Sequence, residues 1–262
     1  MLTYDALMDE ARKRGMPEGK IRGILREYIQ VLMLKSLYKS KWQDRFFFLG
    51  GTSLRLLYGS KRFSEDLDFN VRNLKMDEFK DAAGFIRKEL GRGGISCNLR
   101  FNHKGSMFIS EFIFRDIQEL YGMVDKRGEI IIKLETNKPK YLLETESGLI
   151  NGFGEVFLIN AMSKGSMFAD KIDTLRNKKR GRHIYDIIFM LSKKFPVDKK
   201  LLRINGIKEK PMEAISCIVN GISDDQLKTV SEDVRPFLFD ETESKLIRNA
   251  KVVVKKLVGD EG

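Results

Sequence analysis

The hydrophobic period of the sequence changes near residue 160. Before that point, several short segments are either continuously apolar or alternate between polar and apolar residues, which is typical of strands. From about residue 163 onward, apolar residues recur at helical spacing almost to the end of the chain, with breaks at glycines and prolines. We therefore expect an α/β or α+β core over residues 1–160 and a helical C-terminal domain over residues 161–262.

Residue spacing also predicts the elements of this core. Helices are expected over residues 2–14, 18–39 and 76–90, and strands over residues 46–49, 66–71, 95–103, 106–114, 129–136 and 155–160. A short helix should follow the first strand, with Thr52 as its N-cap. Residues 137–154 are punctuated by Gly, Asn, Lys and Pro, which favours loops there.

Charge and hydropathy limit the class of protein. The 262 residues include 48 Lys and Arg against 37 Asp and Glu, which gives a net charge of +11. Both halves of the chain are basic and could face a polyanion such as RNA, although a well-solvated basic surface explains the same charge. No apolar run approaches the roughly 18 residues that span a bilayer, and the first residues contain no signal-peptide core. We therefore expect a cytoplasmic protein that does not bind a membrane.

The few cysteines and histidines exclude several kinds of site. Cys97 and Cys217 lie far apart and outside any CxxC pair, which argues against a disulfide framework or a structural zinc site. His103 and His183 are the only histidines, so a multi-histidine metal site is excluded. The sequence also lacks the G-x-S-x-G elbow of many hydrolases and the phosphate loop of P-loop NTPases.

Two carboxylates alternate along one of the predicted strands. Asp66 and Asp68 are two residues apart, so both should point to one face while Leu67 and Phe69 enter the core. Like charges side by side are costly unless a cation neutralises them, and Mg²⁺ commonly joins carboxylates to substrate phosphates. One alternative is a solvent-facing strand. A calcium loop is the other, but it fails because Val71 occupies the position that needs Gly.

A Gly-Gly turn precedes these carboxylates. Gly50 and Gly51 stand between an apolar strand and a helix, where glycines allow backbone N–H groups to approach a phosphate and the helix dipole favours the anion. An ordinary tight turn explains the same residues. However, only one short helix separates the turn from Asp66, so the two features should meet at one end of adjacent strands.

Two further charged features stand later in the chain. Glu135 lies on the same face of a predicted strand as Ile131 and Lys133, so it is a candidate third carboxylate, as metal ligand or general base. A surface glutamate is the alternative. Residues 176–182 hold five basic side chains and no acid, which suits a triphosphate or an RNA backbone, or else a solvated helix end.

Two blocks of sequence resemble a known family. Residues 48–59, FLGGTSLRLLYG, and residues 62–69, RFSEDLDF, are similar to the opening signature of the AbiEii/AbiGii-type nucleotidyltransferase toxins, in the DNA polymerase β-like superfamily. A later block of the family also matches in spacing, at Lys171, Leu175, Lys178, Arg182, Tyr185 and Asp186. The sequence departs from the family at His183, where Asp is usual, and at Lys178, where Arg is frequent.

The resemblance implies a fold and an activity. The fold would be a nucleotidyltransferase core with a mixed twisted sheet, followed by a helical C-terminal domain. The activity would be Mg²⁺-dependent transfer of a nucleoside monophosphate from an NTP to an acceptor, with release of pyrophosphate. Relatives are toxins of bacterial toxin–antitoxin and abortive-infection systems, which act in phage defence, and some of them modify tRNA 3′ ends. A tRNA acceptor and a cognate antitoxin are therefore the expected partners.

The resemblance and the residue chemistry together assign roles. Asp66, Asp68 and Glu135 are the candidate Mg²⁺ ligands. By resemblance, Lys171 and Asp186 join them as active-site residues. The candidate nucleotide-binding residues are Gly50, Gly51, Thr52, Ser53, Arg62, Ser64 and Arg182. Two alternatives are a nucleotidyltransferase that modifies a protein or a small molecule, and a non-catalytic basic RNA-binding module.

Overall fold

The computed structural model describes residues 1–115, 117, 121, 128–139, 141 and 144–259. The chain forms two compact units. The first unit comprises Met1–Gly59 and Phe63–Met162, and the second comprises Ser60–Arg62 and Ser163–Gly262. A three-residue segment from the early part of the chain is thus a component of the later, helical unit.

The first unit contains a mixed sheet. Among the described residues it has seven strands, which are β1 (Phe46–Leu49), β2 (Leu67–Val71), β3 (Asn98–Lys104), β4 (Met107–Phe114), β5 (Ile130–Asn137), β6 (Thr145–Gly152) and β7 (Glu155–Met162). Their order is β3-β4-β5-β2-β1-β7-β6. β2 pairs with β5, and β1 with β7, in parallel, whereas the other neighbours are antiparallel. This mixed arrangement confirms the predicted fold class.

Four described helices accompany the sheet, namely α1 (Tyr4–Lys13), α2 (Ile21–Tyr38), α3 (Gly50–Tyr58) and α4 (Met76–Arg92). Helix α2 is largely buried, and it packs against α4 and the sheet. The apolar strand β1 supplies Phe46 and Phe48, whose rings lie 5.4 and 5.3 Å from the ring of Phe69 in β2. These aromatic contacts fix β1 against β2 at the centre of the core.

The second unit is helical where it is described. Its helices are α5 (Lys164–Asn177), α6 (Gly181–Ser192), α7 (Lys199–Ile204), α8 (Pro211–Asn220), α9 (Asp224–Val234), α10 (Ser244–Arg248) and α11 (Ala250–Gly259). Helix α6 is central and contacts α5, α9, α10 and α11. Gly181 begins α6 where a Cβ atom would collide with the carbonyl oxygen of Val230 in α9, so only glycine fits this contact. None of the described helices is long and apolar enough to cross a lipid bilayer.

The early segment joins the second unit through backbone contacts. Arg62 forms an antiparallel bridge with Leu238, and the N–H of Phe239 donates to the carbonyl of Lys61 at 2.9 Å. The chain passes from the second unit to the first between Arg62 and Phe63. Nothing in the local spacing of these residues indicated this arrangement.

Two local predictions were wrong. Residues 145–152 form strand β6 rather than a loop. Its glycines permit close approach within the first unit, since a Cβ on Gly148 would meet the side chain of Leu57. Thr52 does not cap α3, because that helix begins at Gly50 with Leu49 as its N-cap and no capping side chain.

Candidate active site

The alternation predicted around Asp68 is present in β2. Leu67 and Phe69 are buried, whereas Asp68 is half-buried. Asp66 lies immediately before the strand. Period two along β2 therefore turns Asp68 away from the face that carries Leu67 and Phe69.

The parallel pairing of β2 and β5 brings a third carboxylate to this place. Asp68 lies directly opposite Glu135, and Leu67 lies opposite Leu134. Residues that face each other across neighbouring strands share a sheet face, so the Asp68 and Glu135 side chains are neighbours. Glu135 is half-buried, whereas Ile132 and Leu134 point to the core. The sheet register thus joins Glu135 to Asp68, as their spacing suggested.

The Gly-Gly turn contacts the same carboxylate. Leu49 pairs with Asp68 across β1 and β2, and Gly50 follows with φ of +86°. A Cβ atom on Gly50 would collide with Oδ2 of Asp68. Glycine is therefore required both for the backbone conformation and for the close approach of the carboxylate. The first turn of α3 begins at this point, so its N-terminal dipole lies beside the acidic face.

Thr52 and Ser53 are buried within α3. The Thr52 hydroxyl donates a hydrogen bond of 2.5 Å to the carbonyl oxygen of Asp66. Thr52 therefore holds the backbone at the carboxylates instead of capping its own helix. Ser64 also lies near the start of β2, and its carbonyl accepts a hydrogen bond of 3.0 Å from Nε2 of Gln30.

A second cluster of charged residues lies inside the helical unit. Asp186 in α6 is fully buried and accepts hydrogen bonds from Nε and Nη2 of Arg62 at 2.7 and 2.8 Å. Nζ of Lys171, from α5, lies 2.8 Å from the same carboxylate. Burial alone would raise the pKa of Asp186, but the charges and hydrogen bonds of Arg62 and Lys171 outweigh it and hold the pKa below its ordinary range. Asp186 therefore remains ionised between two cations.

His183 occupies one of the two positions at which the sequence departs from the family. Its side chain is buried, and burial together with the charge of Lys171 lowers its pKa to about 3. Its Nδ1 atom has no hydrogen-bond partner in the part of the chain that the structure describes. His183 is therefore neutral in the folded protein at physiological pH.

The basic residues near this cluster differ in exposure. Residues 176–180 are exposed, whereas Arg182 is half-buried in the first turn of α6. Arg176 pairs with Asp173 at 2.6 Å and donates to the carbonyls of Asn205 and Gly206. Residues 178–180 join α5 to α6 and present an exposed basic surface.

The carboxylates of the sheet fit Mg²⁺ as a partner of substrate phosphates. The described residues contain no group of three or more His, Cys, Asp or Glu side chains gathered closely enough to hold a metal ion by themselves. Mg²⁺ commonly binds through one or two carboxylates and takes its other ligands from water and phosphate oxygens. The neighbouring carboxylates of Asp68 and Glu135 supply oxygen donors that suit that mode of binding.

A comparison with protein families decides the identity of the chain. A family model described as nucleotidyl transferase AbiEii toxin, type IV TA system, matches residues 32–241. The chain belongs to this AbiEii family. It is therefore a nucleotidyltransferase toxin of a type IV toxin–antitoxin system, which implies an NTP substrate and an antitoxin partner. This result confirms the resemblance and supports a nucleotidyltransferase.

Solved structures share the fold of this AbiEii-family chain. MenT4, a nucleotidyltransferase toxin from Mycobacterium tuberculosis, is similar with a TM-score of 0.59 and 17% identity, over 100% of this chain and 92% of MenT4. JHP933 from Helicobacter pylori is similar with a TM-score of 0.56 and 16% identity, over 91% of this chain and 93% of JHP933. At such identities the likeness concerns the fold. No curated protein sequence matches the chain.

Sequence reasoning missed residues of α2 that contact the acidic segment. Arg26 pairs with Glu65, and Gln30 donates to the carbonyl of Ser64, whereas the spacing of α2 residues predicts only a helix. Both are polar, but the same helix also contains the polar residues Arg22, Glu27, Lys35 and Ser36, so the sequence alone did not single them out.

Proposed function

We propose that the protein transfers a nucleoside monophosphate from an Mg²⁺–NTP complex to tRNA. The observation that carries this proposal is the juxtaposition of Asp68 and Glu135 on one sheet face, against the glycine turn at Gly50. Family membership supplies the reaction class, nucleotidyl transfer. Two adjacent acids and a helix N-terminus provide the complementary charges that a metal–triphosphate complex requires.

In this proposal the sheet residues act on the reacting groups. Asp66 and Asp68 hold the metal, and Glu135 serves either as a further ligand or as the base that accepts the proton of the acceptor hydroxyl. When bound, Mg²⁺ would neutralise the triphosphate charge that develops during transfer. Phosphoryl-type transfer depends mainly on positioning and charge neutralisation, which these side chains are suited to supply.

The turn is proposed to bind the phosphates through its backbone. N–H groups at Gly50, Gly51 and the start of α3 would donate to phosphate oxygens, since α3 has no capping side chain. Thr52 and Ser53 are buried in the first turn of α3, and the Thr52 hydroxyl binds the carbonyl oxygen of Asp66. Ser64 contributes by holding the segment that leads to Asp66.

The buried cluster of Asp186, Arg62 and Lys171 is proposed to hold positive charge in position for the substrate. Asp186 holds the head groups of Lys171 and Arg62 within hydrogen-bond distance. Lys171 would favour the triphosphate as a fixed cation. Asp186 has no exposed surface, so it would act by orienting these cations.

The acceptor is proposed to be RNA because of the basic surface. The net charge is +11, and the exposed residues 178–180 together with Arg182 provide cations for backbone phosphates. Such contacts predict binding that weakens steeply with salt. In this arrangement residues 1–160 carry the carboxylates and the glycine turn, and residues 161–262 carry Lys171 and the basic surface for the acceptor.

A transfer assay tests the proposal. Purified protein is incubated with Mg²⁺, each labelled NTP in turn and total cellular RNA, beside the Asp66→Asn variant. Asp9→Asn serves as a matched control because Asp9 lies on the exposed side of α1. Label in tRNA-sized RNA with wild type and Asp9→Asn, but not with Asp66→Asn, is the expected result. Label in protein or in a small molecule would overturn the tRNA acceptor and select the alternative substrate class.

A further inference from the structure

The segment before β2 is held by side chains of α2. Nε2 of Gln30 donates to the carbonyl oxygen of Ser64 at 3.0 Å. Nη1 of Arg26 lies 3.2 Å from Oε1 of Glu65. Two neighbouring residues of the segment are thus each bound by one residue of the same helix.

The contacts continue on both sides of this pair. On one side, a Cβ atom at Gly23 would lie 2.9 Å from the ring of Phe63, so α2 approaches the segment with no room for a side chain. On the other side, Thr52 donates to the carbonyl of Asp66. Every residue from Phe63 to Asp66 is therefore fixed by a specific contact within the first unit.

The α2 residues form a single stripe. Gly23, Arg26 and Gln30 are spaced by three and four positions, which places them on one helix face. We call this set the α2 stripe. It lies before residue 32, where the family match begins, so the family match assigns it no role.

The polar members of the α2 stripe are buried at some energetic expense. Gln30 is only 1% exposed, and the Arg26 side chain is 14% exposed. Burial lowers the pKa of the Arg26 guanidinium, while the charges of Glu65 and Asp66 favour its charged form. Nε of Arg26 is buried without a hydrogen-bond partner among the described residues. An apolar side chain would avoid this desolvation, so packing alone does not account for the arginine.

We propose that Arg26 and Gln30 are positioning residues for the carboxylates of Asp66 and Asp68. They fix the backbone at Ser64 and the side chain at Glu65, and the next residue along the chain is the proposed metal ligand. The inference rests on the proposed function of Asp66 and Asp68. Side chains that orient metal ligands change metal affinity or activity by roughly 10–100-fold when they are replaced.

Metal binding tests this inference without turnover. Mn²⁺ alone is titrated into the full chain, and free Mn²⁺ is measured by electron paramagnetic resonance. Arg26→Met and Gln30→Met should weaken Mn²⁺ binding about 10-fold or more, and Arg26→Lys should recover part of the loss because it keeps the charge. Arg22→Met is the matched control. Arg22 lies on the same helix but donates to the carbonyls of Gly128 and Glu129.

Transfer kinetics provide the second readout. The Mg²⁺ concentration for half-maximal transfer should rise by a similar factor in Arg26→Met and Gln30→Met, with little change in the KM of the acceptor. Cooperative thermal unfolding identifies the variants that fold, and Arg26→Lys serves if the methionine variants do not. Folded variants with wild-type Mn²⁺ affinity and Mg²⁺ dependence would overturn the inference. Wild-type Mn²⁺ affinity in both Asp66→Asn and Asp68→Asn would instead overturn the proposed metal site itself.

Discussion

Carboxylates occur in two contrasting environments in this protein. On the sheet of the first unit, Asp68 is half-buried and stands beside another acid, Glu135. In the helical unit, Asp186 is fully buried and stands between Arg62 and Lys171. The first environment places like charges together, and the second surrounds one charge with its opposites.

The two environments predict different roles for the acids, ligand binding on the sheet and stabilisation of the fold in the helical unit. Neighbouring carboxylates repel, and a bound cation relieves that repulsion, which is consistent with the metal site proposed for the sheet pair. A buried carboxylate paired with two cations already has its counter-charges, and removing it leaves those cations in a poorly solvating interior. We therefore expect replacement of the sheet acids to affect turnover while the fold persists, and replacement of Asp186 to affect folding in addition to the cations that it orients.

The largest effect is expected from Asp68→Asn. Loss of a proposed metal ligand should remove several kcal/mol of transition-state stabilisation, so transfer should fall by about a thousandfold or more. The free energy of unfolding should change by less than about 1 kcal/mol, since the side chain is half-buried and the substitution is close in shape. Transfer assays and urea unfolding measure the two quantities. Unchanged turnover in the folded Asp68→Asn variant would show that Asp68 is not needed for transfer, and the proposed difference from Asp186 would be wrong.

Asp186→Ala should act mainly on stability. Breaking a buried ion pair costs about 3–5 kcal/mol, so the midpoint of urea unfolding should fall clearly. The double variant Arg62→Leu with Asp186→Leu should recover part of the loss, because it removes a charge together with its counter-charge. If Asp186→Ala were as stable as wild type, the buried ion pair would not stabilise the fold, and the contrast with Asp68 would be wrong.

Acid should destabilise the protein through His183, because its buried imidazole resists protonation in the folded state. Its pKa is about 3 in the folded protein against an ordinary value of 6.5, so below pH 6.5 the unfolded chain takes up a proton that the folded chain does not. Stability should fall as the pH drops from 6.5 towards 3, with a slope approaching about 1.4 kcal/mol per pH unit. Urea unfolding between pH 7 and pH 4 measures this slope. The slope should be smaller in His183→Gln, and an equal slope would assign the acid sensitivity to other groups.

Thr52→Val should have the smallest effect of the four. The substitution preserves shape but removes the hydrogen bond to the Asp66 carbonyl, which contributes about 1 kcal/mol to stability. Because the bond fixes the backbone at a proposed metal ligand, transfer should fall by about tenfold. Thr174→Val is the matched control, since the Thr174 hydroxyl binds a carbonyl in its own helix. Equal turnover in the two variants would contradict the role of Thr52.

Much of the candidate site follows from local spacing. Period two along the chain predicted that Leu67 and Phe69 enter the core opposite Asp68, and the structure confirms it. The same rule predicted that Glu135 and the buried Leu134 point to different faces of the sheet. These predictions succeeded because neighbouring residues of a strand point to alternate faces whatever the rest of the fold does.

Glycine was the main source of local error. The glycines near β6 were interpreted as loop signals, but Gly148 and Gly152 lie within the strand. A Cβ at Gly148 would meet Leu57, and one at Gly152 would meet the guanidinium of Arg14. Whether a glycine marks a turn or a close contact depends on what packs against it, and sequence spacing does not contain that information.

The sequence alone determined most of the segments that form strands or helices, and it indicated that Asp68 and Glu135 face away from the core. It also identified the family through residues 48–69 and 171–186. Only the tertiary structure decided the partners: Arg62 with Asp186, and Arg26 with Glu65. The physical reason is that periodicity acts over a few residues, whereas these ion pairs join residues far apart in the chain and form only when the intervening elements have packed.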